Sequence, residues 1–290
     1  MLRWLLISLL GLLFSFLLLR PDPNLHLVAC DIGQGDAILI THGDQQVLID
    51  GGPNDSVLSC LSQYIPFWDR TIELIVLTNG DADHVTGLID VLGHYQVEKL
   101  VTNHLVKDTA RFKAFREVVA KENIAVYAPK AGDQIKLGAL TFNVLWPENR
   151  LGQTLVWQKD VDPKVLGANT YSQTSANEQS IVLKLEYGDF DAILTGDIGT
   201  PTEKTLVDAG ALTDVEVLKV GHHGSRYSSS ETFLTTLSPE LALISVGKNT
   251  YGHPTPEALQ RLKASGAETL TTQESGNIEV ITNGHSFWLR

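Results

Sequence analysis

"LTNGDADHVTGL", residues 77–88, follows the apolar run "IELIVL" and decides how the chain is read. A buried strand ends, and Asn79, Asp81, Asp83 and His84 follow in quick succession before "GL" resumes an apolar pattern. Carboxylates crowded this closely repel one another unless water solvates them or positive charge sits between them. The stretch is therefore either an acidic turn or one half of a metal site, and its neighbours decide which.

The chain has 290 residues and 43% hydrophobic content, which is globular composition with room for one large domain or two small ones. Acidic groups outnumber basic ones by 34 to 22, for a net charge of −12. A protein that tracks phosphates along its whole surface is usually basic, so bulk charge does not favour nucleic acid, and bound divalent ions would offset part of the excess. Cys30 and Cys60 are too few for a disulfide scaffold and sit in apolar surroundings, so both are expected to be buried fillers.

The N-terminus is a separate object. Trp4 to Leu19 is an apolar run bounded by Arg3 and Arg20, about 16 residues long, against the ~20 that span a bilayer, a gap that snorkelling arginines close. A cleaved signal peptide would show small residues just after that run. "LLLRPDPN" has none. The expectation is an uncleaved single transmembrane helix and hinge over residues 1–24 in the cell membrane. The α-amino group beside Arg3, set against Asp22 beside Arg20, favours the N-terminus inside, with the soluble part extracytoplasmic.

Beyond the hinge, strands and helices alternate. "LHLVAC", "AILITH" and "QQVLID" read as strands, the last two joined at Gly43-Asp44; "IELIVLT" is a buried strand and "HVTGLIDVLGHY" has helical spacing. "KLVTN", the helix "DTARFKAFREVVAKEN", "IAVYAP" and a hairpin around Gly138 complete the first half. Residues 150–178 are polar and patternless, longer than an ordinary connection. The second half repeats the grammar. A hairpin turns at Gly188-Asp189, "TPTEKTLVDAG" is a helix stopped by Gly210, and "VEVLKVGHHGS" and "ELALISVG" are strands. "TPEALQRLKASG" is a helix, and "ETLTT" and "NIEVITNGHSFWL" are strands. Two sheets packed together with helices outside would bury all of it.

Polar, glycine-bearing stretches recur at strand ends: "DIGQGDA", "IDGG", "TNGDADH", "LTGDIG", "VGHHGS" and "YGHP". Strand ends on one sheet edge lie together, so these loops can converge. Taken singly, Asp31 and Asp36 read as turn caps, Asp50-Gly51-Gly52 as a tight turn, and the paired histidines as partners of a buried carbonyl. Together, Asp81, Asp83, His84, Asp197, His222 and His223 supply carboxylate and imidazole donors at three strand ends. That donor set suits zinc, manganese or iron and, without nearby cysteine, not a thiolate site.

The D-x-D-H core after a strand, then T-G-D, then H-H-G-S, resembles the metallo-β-lactamase superfamily. More narrowly, "DIGQGDAILI", "LIDGG", "LTGDI", "LKVGHHGS" and "ISVGKNTYGHP" resemble the hydrolase domain of ComEC-type DNA-uptake proteins, from about Leu25 to the C-terminus. The many-helix channel of those proteins is absent from this sequence. The resemblance implies an α/β fold, a metallo-β-lactamase-like αββα sandwich of two mixed sheets flanked by helices, over residues 25–290. It also implies a metal site at the sheet edge for one or two divalent ions, zinc or manganese. Asp81 would belong to the first ion, Asp83 and His84 to the second, and Asp197 would bridge them. His222 and His223 would supply a further ligand and a phosphate contact, with either order open. His253 would sit at the rim as a phosphate contact or proton donor. The resemblance puts histidine where this chain has Asn79, a weaker ligand, so the first ion binds loosely, the site holds one ion, or catalysis is lost.

The implied chemistry is metal-assisted attack of water on phosphorus, with Asp83, His223 and His253 as catalytic groups and Asp83 orienting the water. The Gly224 and Ser225 N–H groups would hold a phosphate oxygen. Arg226, Lys248 and Arg261 offer a local positive patch on an acidic protein. The expected function is a membrane-anchored phosphodiesterase or nuclease, with single-stranded DNA as substrate and a separate channel protein as partner. The alternatives are a small-molecule phosphoester or lactone hydrolase, since the fold hosts many substrates, and a catalytically impaired DNA-binding module that partners a channel.

Overall fold

The computed structural model describes residues 22–103, 107–148 and 176–290. The expected membrane segment from Trp4 to Leu19 and nearly all of the 150–178 stretch lie outside the described residues. Among those described, no helix is long and apolar enough to cross a membrane.

The first half builds an eight-stranded sheet. Strands β1 (Leu25–Ala29), β2 (Ile38–His42) and β3 (Gln45–Ile49) form an antiparallel meander; β4 (Thr71–Leu77), β5 (Gln96–Thr102) and β6 (Ala125–Tyr127) continue it in parallel. Parallel neighbours need crossovers, and these are α2 (Ala82–His94) and α3 (Ala110–Lys121), with α1 (Ser56–Tyr64) between β3 and β4. The seven-stranded sheet repeats the scheme. The antiparallel run is β7 (Gln134–Leu137), β8 (Leu140–Trp146), β9 (Val182–Tyr187) and β10 (Phe190–Leu194). Parallel β11 (Val217–Lys219), β12 (Leu241–Ile244) and β13 (Glu268–Thr271) follow, connected through α4 (Thr200–Asp208), α5 (Glu231–Leu237) and α6 (Pro256–Ser265). The last strands, β14 (Ile278–Thr282) and β15 (Phe287–Leu289), return to the first sheet beside β1.

The two-residue period of a strand explains how three apolar layers arise from one chain. In β4, Leu74 and Val76 face the second sheet, while Ile75 and Leu77 face the helices. In β1, Leu25, Leu27 and Ala29 join the inter-sheet layer with Phe142, Leu185 and Phe190, and Val28 turns outward. Both faces of β4 are covered, so its sequence is nearly continuous in apolar residues instead of alternating. The αββα order expected from the sequence is the one observed.

Besides a single turn at Thr272–Ser275, two helices are additions to the sequence reading. In α1, Val57, Cys60 and Leu61 are buried at helical spacing, but four polar side chains among nine residues weaken the pattern. In α5, Phe233, Leu234 and Leu237 are buried in a segment rich in threonine.

Cys30 and Cys60 correct an expectation. They are buried, but as a disulfide with Cα atoms 5.8 Å apart, not as independent fillers. The bond ties the end of β1, where "DIGQGDA" begins, to α1 across 30 positions of sequence. Closing a loop of that length restricts the unfolded chain, so reduction, or Cys30→Ser with Cys60→Ser, is expected to lower stability by about 2–4 kcal/mol. Urea unfolding with and without reductant measures this, and two titratable thiols in the unreduced, denatured protein would rule the bond out.

Candidate metal centre

The first turn of α2 is held against two loops at backbone distance. A Cβ at Gly51 would stand 2.6 Å from the Leu88 nitrogen, and one at Gly35 would stand 2.3 Å from the Asp83 carbonyl. In place of side chains there are hydrogen bonds: Gly51 N–H donates to the His84 carbonyl at 2.7 Å and Asp36 N–H to the Asp83 carbonyl at 3.1 Å. Gly35 of "DIGQGDA" and Gly51 of "IDGG" are thus steric requirements that fix where Asp83 and His84 begin.

His84 is wholly buried and doubly engaged. Its Nδ1 meets Asp50 Oδ2 at 2.7 Å and its Nε2 meets Asp197 Oδ2 at 3.0 Å. Asp50 is held in turn by the Thr78 N–H at 2.8 Å and the Thr78 hydroxyl at 2.6 Å. His223 comes from the other sheet. The loop after β11 places His222 and His223 in left-handed backbone, φ 49° and 55°, an uncommon conformation for residues with a Cβ. His223 Nδ1 donates to the Ser245 carbonyl at 2.8 Å, which leaves Nε2 pointing at Asp83 Oδ2 and Asp197 Oδ1, each 3.5 Å away.

Behind this cluster lies a buried ion pair. Lys219, at the end of β11, is 2% exposed and donates to Asp36 Oδ2 and, at 3.3 Å, to the Gly196 carbonyl. Asp36 is therefore a buried charge partner and not the turn cap expected from the sequence; Asp31 does accept the Gly33 N–H, at 3.5 Å. Burial pushes the Asp36 carboxyl up, but Lys219, His223 and His84 outweigh it and hold it at about 2. Burial pushes His223 down, yet Asp197 and Asp36 raise it to about 10; His84 is likewise raised, against burial, by Asp197 and Asp50. Asp197 is pushed up by burial and pulled well below the carboxylate range by His84 and His223.

Among the described residues, three buried polar atoms of this cluster have no hydrogen-bond partner, His223 Nε2, Asp197 Oδ1 and Asp36 Oδ1, and His253 Nδ1 at the rim is a fourth. Buried polar atoms nearly always find one, and two of these converge beside Asp83 and His84. Asp83, His84 and His223 present ligand atoms within 4.8 Å of one another; so do Asp36, Asp197 and His223, and Asp36, Asp50 and His84. Lys219 occupies Asp36 Oδ2, and Asp50 is held by His84 and Thr78. Asp83, Asp197 and His223 line the cleft, so the first group, joined by Asp197, is the one that an incoming ion reaches once His84 Nε2 gives up its contact with Asp197. Oxygen and imidazole donors with no thiolate fit a zinc- or manganese-type divalent ion.

The remaining candidates separate. His222 and His253 stand at the rim, rings 5.4 Å apart and edge to face, and burial lowers the pKa of both. With Gln34, Asp81, Asp83 and Tyr251 they line a cleft of about 380 Å³. Asp81 lies on that wall but contacts Lys107 Nζ. Asn79 is buried with both ends of its amide engaged: Oδ1 accepts the Asp81 N–H at 2.8 Å, and Nδ2 donates to Ser180 Oγ at 3.2 Å. Ser225 departs from expectation, being buried with its N–H donating to the His222 carbonyl at 3.0 Å. Gly224 has φ 79°, and a Cβ there would meet Pro254 at 2.7 Å. Arg261 serves the backbone, donating to the Ser229, Arg226 and Ser228 carbonyls, and Arg226 lies 3.8 Å from Glu257. Sequence reasoning missed Asp50, Lys219 and Lys107. A lysine in the otherwise apolar stretch "VLKVG" was the available signal for Lys219.

Fold and clustered donors together define an αββα domain with a candidate metal centre, and residues 30–248 match the metallo-beta-lactamase superfamily, to which the chain belongs. It is 31% identical over 287 residues to ComE operon protein 3 of Bacillus subtilis, covering 92% of this chain and 34% of that protein. It is 28% identical over 268 residues to Competence protein ComA of Neisseria gonorrhoeae, covering 89% and 32%. The chain thus spans about a third of the length of these relatives. Among solved structures it resembles the metallo-beta-lactamase fold protein YhfI of Bacillus subtilis, with TM-score 0.57, 13% identity and coverage of 89% of this chain and 100% of that one. Zn(2+)-bound PqqB from Methylobacterium extorquens gives TM-score 0.52 and 14% identity, covering 82% and 85%. At such identities these two matches establish the fold.

Asp50 is not among the residues that line this cleft, yet it fixes the His84 ring. Asp50→Asn is expected to weaken divalent-metal binding by about 10–100-fold with the circular dichroism spectrum unchanged. Competition against a chromogenic chelator reads the affinity, and an unaltered value would mean that Asp50 does not orient the ligand.

Proposed function

We propose that residues 25–290 form a metal-dependent phosphodiesterase that cleaves DNA, single-stranded by preference, during competence-type uptake, and that residues 1–24 anchor it in the cell membrane. The observation that carries the chemistry is the convergence of Asp83, His84, Asp197 and His223, with His223 Nε2 and Asp197 Oδ1 buried and unpartnered. The DNA context comes from relatives named for competence and recombination. An extracytoplasmic domain is supported by the Cys30–Cys60 bond, since disulfides persist in oxidising compartments and are rare in a reducing cytosol.

A divalent ion held by the four side chains would polarise a phosphoryl oxygen and acidify the attacking water. The chain's own groups do the rest. Asp50 and the Ser245 carbonyl each occupy an Nδ1, so His84 and His223 turn Nε2 toward the centre. Asp83, one third exposed at its side chain, faces the cleft and accepts a hydrogen bond from the incoming water. His222 and His253 form the opposite rim, where His253 contacts the phosphate or returns a proton to the leaving oxygen. Asp81 holds the wall through Lys107, and the Ser225 N–H, spent on His222, has no part in holding phosphate.

The full chain, purified in detergent, is expected to cleave single-stranded DNA with added manganese. Asp197→Ala should lower the rate by at least about 10²-fold, on the scale of losing a group that acts on the transition state. Retention of DNA without cleavage under any divalent metal would favour a binding module; turnover of small phosphoesters alone would shift the substrate class.

A further inference from the structure

The superfamily resemblance assigns Asp81 to one ion and Asp83 with His84 to another, but the satisfied and unsatisfied groups of this chain divide unequally between the two positions. At the second position, buried His223 Nε2 and Asp197 Oδ1 lack hydrogen-bond partners beside Asp83 and His84. At the first, each donor is already engaged. The Asn79 oxygen accepts the Asp81 N–H, and its amide N–H donates to Ser180 Oγ. That hydroxyl oxygen also accepts the Asp197 N–H at 3.2 Å. The Asp81 carboxylate contacts the Lys107 ammonium. Among the described residues, none of the groups of carboxylates and imidazoles that present ligand atoms to one another includes Asp81.

The Lys107–Asp81 contact gives the same partition, and the Lys107 charge also reaches Asp197. Lys107 and Asp81 are each about one quarter exposed, 26% and 28% at the side chain, so the lysine brings its charge to the cleft wall without deep burial. A divalent ion arriving there would meet that ammonium and would have to break the Asp81 ion pair, with a neutral amide in place of an imidazole to receive it. Ammonium and metal ion are alternative solutions to the same crowding of carboxylates.

We infer that the centre takes a single divalent ion, held by Asp83, His84, Asp197 and His223, and that the Lys107 ammonium stands on Asp81 in place of a second. Asn79 is then a clamp linking the turn before α2 to the Ser180 segment of the second sheet, and Lys107 supplies fixed positive charge on the side that a second ion would otherwise occupy. This rests on the metal-dependent reading given above.

The test is metal counting on the full chain in detergent, by equilibrium dialysis against manganese followed by elemental analysis, with electron paramagnetic resonance of the loaded protein. One ion per chain and an isolated-spin, six-line spectrum are expected for the natural sequence. Two ions, or a spin-coupled spectrum, would overturn the inference while leaving metal-dependent hydrolysis intact. No bound ion would remove the metal-dependent reading itself. Asn79→His combined with Lys107→Ala frees both groups at the first position and should raise the count from one to two. A count still at one in the folded variant would overturn the role given to Lys107. Should that variant fail to fold, the count and spectrum of the natural sequence still decide.

Discussion

Four carboxylates, Asp36, Asp50, Asp83 and Asp197, meet two imidazoles and one ammonium within a few ångströms, largely shielded from water. Removing that much charge from solvent is costly, and the cost is tolerable only when each charge has a partner in good geometry. Lys219 neutralises Asp36, and His84 lies between Asp50 and Asp197. Atoms left over point into one spot. The centre is thus as much a problem of charge compensation as of ligand supply, and the surrounding fold is arranged to solve it.

The solution draws on both sheets. From the first come Asp36 after β1, Asp50 after β3, and Asp83 with His84 at the start of α2; from the second come Asp197 after β10, Lys219 at the end of β11 and His223 just beyond it. Neither half could compensate its own charges. The two imidazoles come from different sheets, and each stands against carboxylates of the other half: His84 against Asp197, and His223 against Asp36 and Asp83. The inter-sheet layer of Leu27, Ile40, Phe142 and Leu185 supplies the apolar burial that holds the halves together.

Much of this was legible in the sequence because it depends on local pattern. Alternating strands, the apolar run before Asn79, the Gly43-Asp44 and Gly188-Asp189 turns and the polar strand ends all follow from period and turn chemistry. The groups that escaped are those whose role exists only across sheets. Asp36 looked like a turn residue because its partner, Lys219, is 183 positions away. Asp50 looked like part of a tight turn, and its φ of 59° is indeed a turn value, but its bond to His84 is invisible without the fold. The disulfide was missed for a similar reason: two cysteines in apolar surroundings look alike whether or not their Cα atoms come within bonding reach. Ser225, conversely, lost its expected role because the four-residue turn from His222 spends its N–H internally.

The two histidines after β11 carry a lesson for transplantation. Because His222 and His223 occupy left-handed backbone, with Gly224 following at φ 79°, the aim of both rings starts from an unusual main-chain turn. Anyone moving this constellation to a new scaffold must therefore graft the contorted main chain, together with the Ser245 carbonyl that receives Nδ1, since side chains alone would not reproduce the split between an interior and a marginal imidazole.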